Sequence, residues 1–124
     1  MDIYNLLKNN ITQKELLNYY NATIIYKKIN KGINGFVFNY DGLFFIIIND
    51  NLSYYKKRKT ILHELAHIEL NQLEQQDKIL FALKIEKYED EADKYIKFIL
   101  NNIKGENKYD YITWLLYYNF IISL

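Results

Sequence analysis

Residues 60–70 read TILHELAHIEL, and they hold both histidines of this 124-residue chain. His63 and His67 are four apart, with Glu64 directly after the first. Ile61, Leu62, Leu65, Ala66 and Leu70 recur at helical spacing, so the stretch reads as a helix with an apolar stripe flanked by the histidines. Positions i and i+4 lie one turn apart on one helix face, so the two imidazoles can address a single ion. Glu64 falls about 60° round the helix from His67 at 100° per residue, close enough to reach a water on that ion without being a ligand. The pattern is HExxH, in which zinc lowers the pKa of its water towards ~7 and the glutamate takes the proton. The plain alternative is a structural histidine pair on an ordinary helix. Glu69 falls near the centre of the apolar stripe, and nothing in the sequence accounts for it.

A catalytic zinc takes three protein ligands and keeps one position open. The chain has no cysteine and no third histidine, so the remaining ligand must be a carboxylate. EKYEDEAD (86–93) supplies the candidates. At 100° per residue Phe81, Ile85, Tyr88, Ala92, Tyr95, Ile96, Ile99 and Ile103 form one apolar stripe. Glu89 falls inside it and Asp93 at its edge, one turn later, while Glu86, Asp90 and Glu91 point elsewhere. A carboxylate on a core-facing stripe is costly unless it is paired or binds a metal. Glu89 is therefore the expected third ligand, with Glu86 as its competitor. Asp93 is placed to accept the free ring N–H of a ligating histidine, the alternative being a surface salt bridge. One Zn2+ per chain is the expected cofactor, since two histidines, a glutamate and an open position are a typical zinc set.

Working outward, TQKELLNYYN (12–21) reads as a short helix with Thr12 as N-cap and Glu15 completing a capping box. TIIYKKI (23–29), FVFNY (36–40) and LFFIIIN (43–49) read as strands, separated by a turn at KGING (31–35) and a hairpin signal at DG (41–42). The third strand is apolar on both faces, as an interior strand would be; the other possibility is an edge strand bordering the cleft, to which an extended substrate could pair. The motif helix is expected over 54–73 and a second helix over about 77–102 with Asp77 as N-cap. A last, very apolar helix over 109–122 would either close the core or form a homodimer surface. The expected architecture is one α+β domain over 1–124: a small antiparallel sheet of about three strands packed on a zincin-like helical core.

Composition narrows the function classes. Net charge is +1, from 16 basic and 15 acidic residues, which gives no electrostatic case for direct nucleic-acid binding. Without cysteine there is no disulfide framework and no thiolate site. The start MDIYNLLKNN lacks the features of a secretory signal. The most apolar stretches, GLFFIII (42–48) and ITWLLYYNFIISL (112–124), are shorter than the roughly 20 residues a membrane span needs. A cytoplasmic protein without a membrane partner is expected. The basic run KKRK (56–59) would meet an acidic partner or form a solvated helix face. A tyrosine is the expected electrophile for a developing oxyanion, but thirteen tyrosines leave the choice open.

His63-Glu64-Leu65-Ala66-His67 followed by Glu89-Asp90-Glu91-Ala92-Asp93 resembles the gluzincin arrangement, HExxH with E-x-x-x-D on a second helix. The short spacing, the wording of the second element and the preceding sheet look most like the ImmA/IrrE family of zinc metallopeptidases, over roughly residues 22–102. The resemblance implies His63, His67 and Glu89 as zinc ligands and Glu64 as general base. It also implies a protein substrate, a DNA-binding repressor of the helix-turn-helix kind encoded on a phage or mobile element. The stretch KFILNNIKG departs from the family, which commonly ends this helix region in Met-Pro. A zinc-dependent endopeptidase is thus expected. The alternative is a zincin-fold binding module that acts as an antirepressor by docking alone.

Overall fold

The structure is a computed structural model and describes residues 3–8, 11–73 and 86–103. Its first helix, α1 (Ile3–Lys8), is not among the elements the sequence patterns mark. Ile3, Leu6 and Leu7 are buried, an i, i+3, i+4 face that was present in the sequence but spans fewer than two turns. Helix α2 (Gln13–Tyr19) has the expected capping box: Glu15 N donates to Thr12 Oγ1, and Thr12 N donates to Glu15 Oε1, both at 3.2 Å. Strands β1 (Ala22–Lys27), β2 (Gly35–Tyr40) and β3 (Leu43–Asn49) follow. Helix α3 (Tyr54–Glu69) starts at Ser53, whose hydroxyl accepts from Lys56 N, and stops at Leu70 before Asn71 enters the left-handed region at φ 56°. It is four residues shorter than expected. Helix α4 spans Glu86–Ile103. Residues 77–85 with the Asp77 cap, the helix expected over 109–122 and the dimer surface assigned to it lie outside the described residues.

The sheet order is β1-β3-β2. β2 and β3 form the expected hairpin, turning at Asp41 and Gly42 with φ of 54° and 81°, the pair of left-handed residues that a type I′ turn requires. β1, however, runs parallel to β3, with Ile24 opposite Ile46 and Ile25 opposite Ile47. The sheet is therefore mixed, not antiparallel as expected. The cause is the 28–34 link, which crosses the end of β3 instead of closing a hairpin. Asn49, the last residue of β3, pins it. Its side chain donates to Ile29 O at 3.3 Å and Ile33 O at 2.9 Å, and its backbone N donates to Asn34 O at 2.9 Å. β3 lies in the centre, which excludes it as the edge bordering the cleft; β1 and β2 are the edges.

One face of β3, with Ile46 and Ile48, packs in a core with Ile61, Leu62 and Leu65 of α3, and α4 adds Ala92, Ile96 and Ile99. Each of these isoleucine and leucine side chains contributes about 1.5–3 kcal/mol by leaving water. The α4 stripe thus docks on α3 as its spacing predicts, carrying Glu89 inward with it. No described helix is long and apolar enough to cross a membrane.

Glu69 finds its explanation here. Its Oε1 accepts from Ile3 N at 2.6 Å and from the Tyr20 hydroxyl at 2.5 Å, tying α1 and the end of α2 to the end of α3. Glu69→Ala removes the acceptor of both bonds and is expected to cost about 1–3 kcal/mol of stability, measured by urea unfolding. Glu69→Gln keeps an acceptor and should recover most of that loss.

Candidate metal centre

The i, i+4 spacing on α3 brings His63 and His67 together, ring centroids 4.7 Å apart and Nε2 atoms 3.1 Å apart. Docking of α4 brings Glu89 to both: Oε1 lies 3.0 Å from His63 Nε2 and Oε2 lies 2.7 Å from His67 Nε2. Glu86 is exposed and takes no part. Of the two carboxylates left open by the sequence, the fold therefore brings Glu89 to the pair. Glu64 is 1% exposed, and its carboxylate completes a group with the two ring nitrogens in which all atoms lie within 4.8 Å of one another.

The outer ring nitrogens decide what the inner ones can do. Asp93 Oδ1 lies 2.8 Å from His63 Nδ1, and a carboxylate accepts, so that nitrogen carries the proton. Gln72 Oε1 lies 2.6 Å from His67 Nδ1. The Gln72 amide is oriented by its other end, where Nε2 donates to Glu91 Oε2 at 3.2 Å, so its carbonyl faces the ring and His67 Nδ1 is likewise the donor. In the neutral rings both Nε2 atoms then carry bare lone pairs, and they face each other and a carboxylate. Three acceptors within about 3 Å repel unless a proton or a cation sits among them. Ligands placed tetrahedrally round zinc at Zn–N distances of about 2.0–2.1 Å stand roughly 3.3 Å apart, and the two Nε2 atoms, 3.1 Å apart, are close to that spacing. The donor set fits a divalent cation.

Gln72 was not identified from the sequence. It lies beyond the end of α3, where Asn71 turns the chain and returns Gln72 N to His67 O at 3.1 Å. No periodic pattern marks such a position. Gln72→Leu removes the acceptor at Nδ1 and frees His67 to take the other tautomer, with its proton where the lone pair is needed. Zinc affinity should fall roughly 10- to 100-fold, as for other outer hydrogen-bond partners of ligating histidines, measured by competition with a chelating dye.

Electrostatics act mainly on His63. Burial alone pushes its imidazolium down, but the hydrogen bond to Glu89 and the charges of Glu64, Glu89 and Asp93 outweigh it and leave the pKa raised. A raised histidine pKa gives the metal-free fold stability that is fully present below the unfolded value of about 6.5 and is lost as pH rises through the folded value. The proton occupies the same lone pairs as a cation would. Metal binding must therefore expel it, so zinc affinity is expected to rise with pH until it passes the His63 pKa and to flatten above. Calorimetric titration in buffers of different ionisation heat would count that proton.

The cluster opens on a cleft of about 380 Å³. One wall is α3, with Lys56, Lys59 and Thr60 leading to His63 and Glu64; the other is the link and the start of β2, Gly32–Gly35. A Cβ on Gly35 would lie 2.6 Å from Ile47 O and 2.9 Å from Thr60 Cγ2, so only glycine lets the strand approach the helix this closely. None of the described lining residues is a tyrosine, so the expected electrophile is not found there.

Residues 17–96, running from α2 into α4 and including His63, Glu64, His67, Glu89 and Asp93, match the family Peptidase_M78, described as an IrrE N-terminal-like domain. No curated protein and no solved structure matches the chain.

Proposed function

The chain belongs to the IrrE N-terminal-like family, and from that premise we propose that it is a zinc-dependent endopeptidase that cleaves a regulatory protein, a DNA-binding repressor of the helix-turn-helix kind. The observation that carries the reading is the inward-facing triangle of His63 Nε2, His67 Nε2 and Glu89, with Glu64 beside it in an open cleft. His63, His67 and Glu89 would hold the ion, and Asp93 and Gln72 would keep the two rings in the binding tautomer. Zinc held there would supply Lewis-acid polarisation and bring the pKa of a water molecule to about 7.

Glu64 accepts the proton as water attacks the peptide carbonyl and returns it to the departing amine, so that the C–N bond breaks without expelling an amide anion. An extended substrate would lie against β2, the edge strand whose Gly35 end lines the cleft. Docking alone requires no general base, so the presence of Glu64 favours hydrolysis. The repressor as substrate rests on the family resemblance. The test is elemental analysis of the purified chain followed by co-expression with the adjacent regulator. About one zinc per chain and a shortened regulator are expected; a metal-free, correctly folded chain that does not take up zinc would sink the reading.

A further inference from the structure

The basic run KKRK (56–59) is divided by the fold. Lys57 Nζ donates to Asp50 Oδ1 at 2.8 Å. Arg58 is 1% exposed, its guanidinium 4.8 Å from the centroid of the Tyr54 ring. Lys56 and Lys59 alone remain exposed, and both line the cleft that leads to His63 and Glu64. Among the described residues neither lysine makes an ion pair.

Positions 56, 59, 60 and 63 fall at i, i+3, i+4 and i+7, one face of α3. At 1.5 Å rise per residue, Lys59 stands about 6 Å and Lys56 about 10 Å before His63 along the helix axis. The facing wall, Gly32–Gly35, carries no charged side chain. The acidic groups of the cleft, Glu64, Glu89 and Asp93, gather at the histidine end. The cleft is thus positive over the first half of α3 and negative only at the metal centre. A continuous polyanion such as nucleic acid would be repelled by the far end. A peptide with a local acidic side chain suits both. An extended chain advances about 3.3 Å per residue, so 6 and 10 Å correspond to two and three residues.

We propose that Lys56 and Lys59 select a substrate segment bearing acidic side chains two or three residues from the bond to be cut, on the side lying over the first half of α3. The inference rests on the cleft being where the proposed peptidase holds its substrate.

The test uses the full chain, zinc-loaded and carrying Glu64→Gln so that nothing is consumed. Two dye-labelled alanine-based peptides of equal length are compared by fluorescence anisotropy, one with a pair of glutamates and one with lysines at the same positions. The acidic peptide is expected to bind on the order of 3- to 10-fold more tightly at low salt, with the difference closing at about 0.5 M salt. Lys56→Glu with Lys59→Glu should reverse the preference, and Lys56→Gln with Lys59→Gln should erase it. Equal affinities, no binding of either peptide, or a preference unchanged by charge reversal overturns the inference. Wild-type protein that hydrolyses nothing while the acidic preference holds would sink the peptidase reading and leave this one standing for a docked segment.

Discussion

Glu64→Gln is expected to lower the rate of substrate cleavage by roughly 10²- to 10⁴-fold, the usual contribution of a positioned general base, while zinc content stays unchanged. The amide keeps the size and most of the packing of a side chain that is 1% exposed, so the fold has little reason to change. It cannot take a proton at neutral pH, and the water then attacks without help. With His63, His67 and Glu89 unaltered, the ion would keep its three proposed ligands. Cleavage of the regulator followed by mass spectrometry, with metal content measured on the same sample, reads both quantities. Regulation that survives in this variant with its zinc in place would show that the protein acts by docking.

The second large effect concerns Glu89. Glu89→Ala should weaken zinc binding by more than the 10- to 100-fold typical of outer partners, because it removes the proposed third ligand, whose two oxygens lie 3.0 and 2.7 Å from the two Nε2 atoms. Glu86→Ala, one turn earlier on the same helix and exposed, should leave the affinity unchanged. The pair of variants separates the two carboxylates that helical spacing alone left in competition. A ligand that binds only the folded state stabilises it by about 2.7 kcal/mol at a hundred times its Kd. Wild type and Glu86→Ala should therefore gain thermal stability on adding zinc, and Glu89→Ala should not. Equal zinc affinity in wild type and Glu89→Ala would mean that the ion is held by another set.

The sequence by itself determined what short-range geometry controls. The histidine pair on one face of α3, the limits of β3, the capping box at Thr12 and the inward position of Glu89 on α4 all follow from periods of 3.6 and 2 and from local capping chemistry. Tertiary structure decided what depends on chain-distant partners. The 28–34 link is as able to close a hairpin as to cross a strand, and only the hydrogen bonds of Asn49 to Ile29 and Ile33 show that it crosses, making β1 parallel to β3. Glu69 looked misplaced on an apolar stripe because its partner Ile3 lies 66 residues away. Gln72 carries no pattern at all, since its role comes from a turn that folds it back under His67 and from Glu91 on another helix. Periodicity reports which face of an element is apolar; it holds no information about which polar atoms meet across the core, because those meetings are set by how the elements dock.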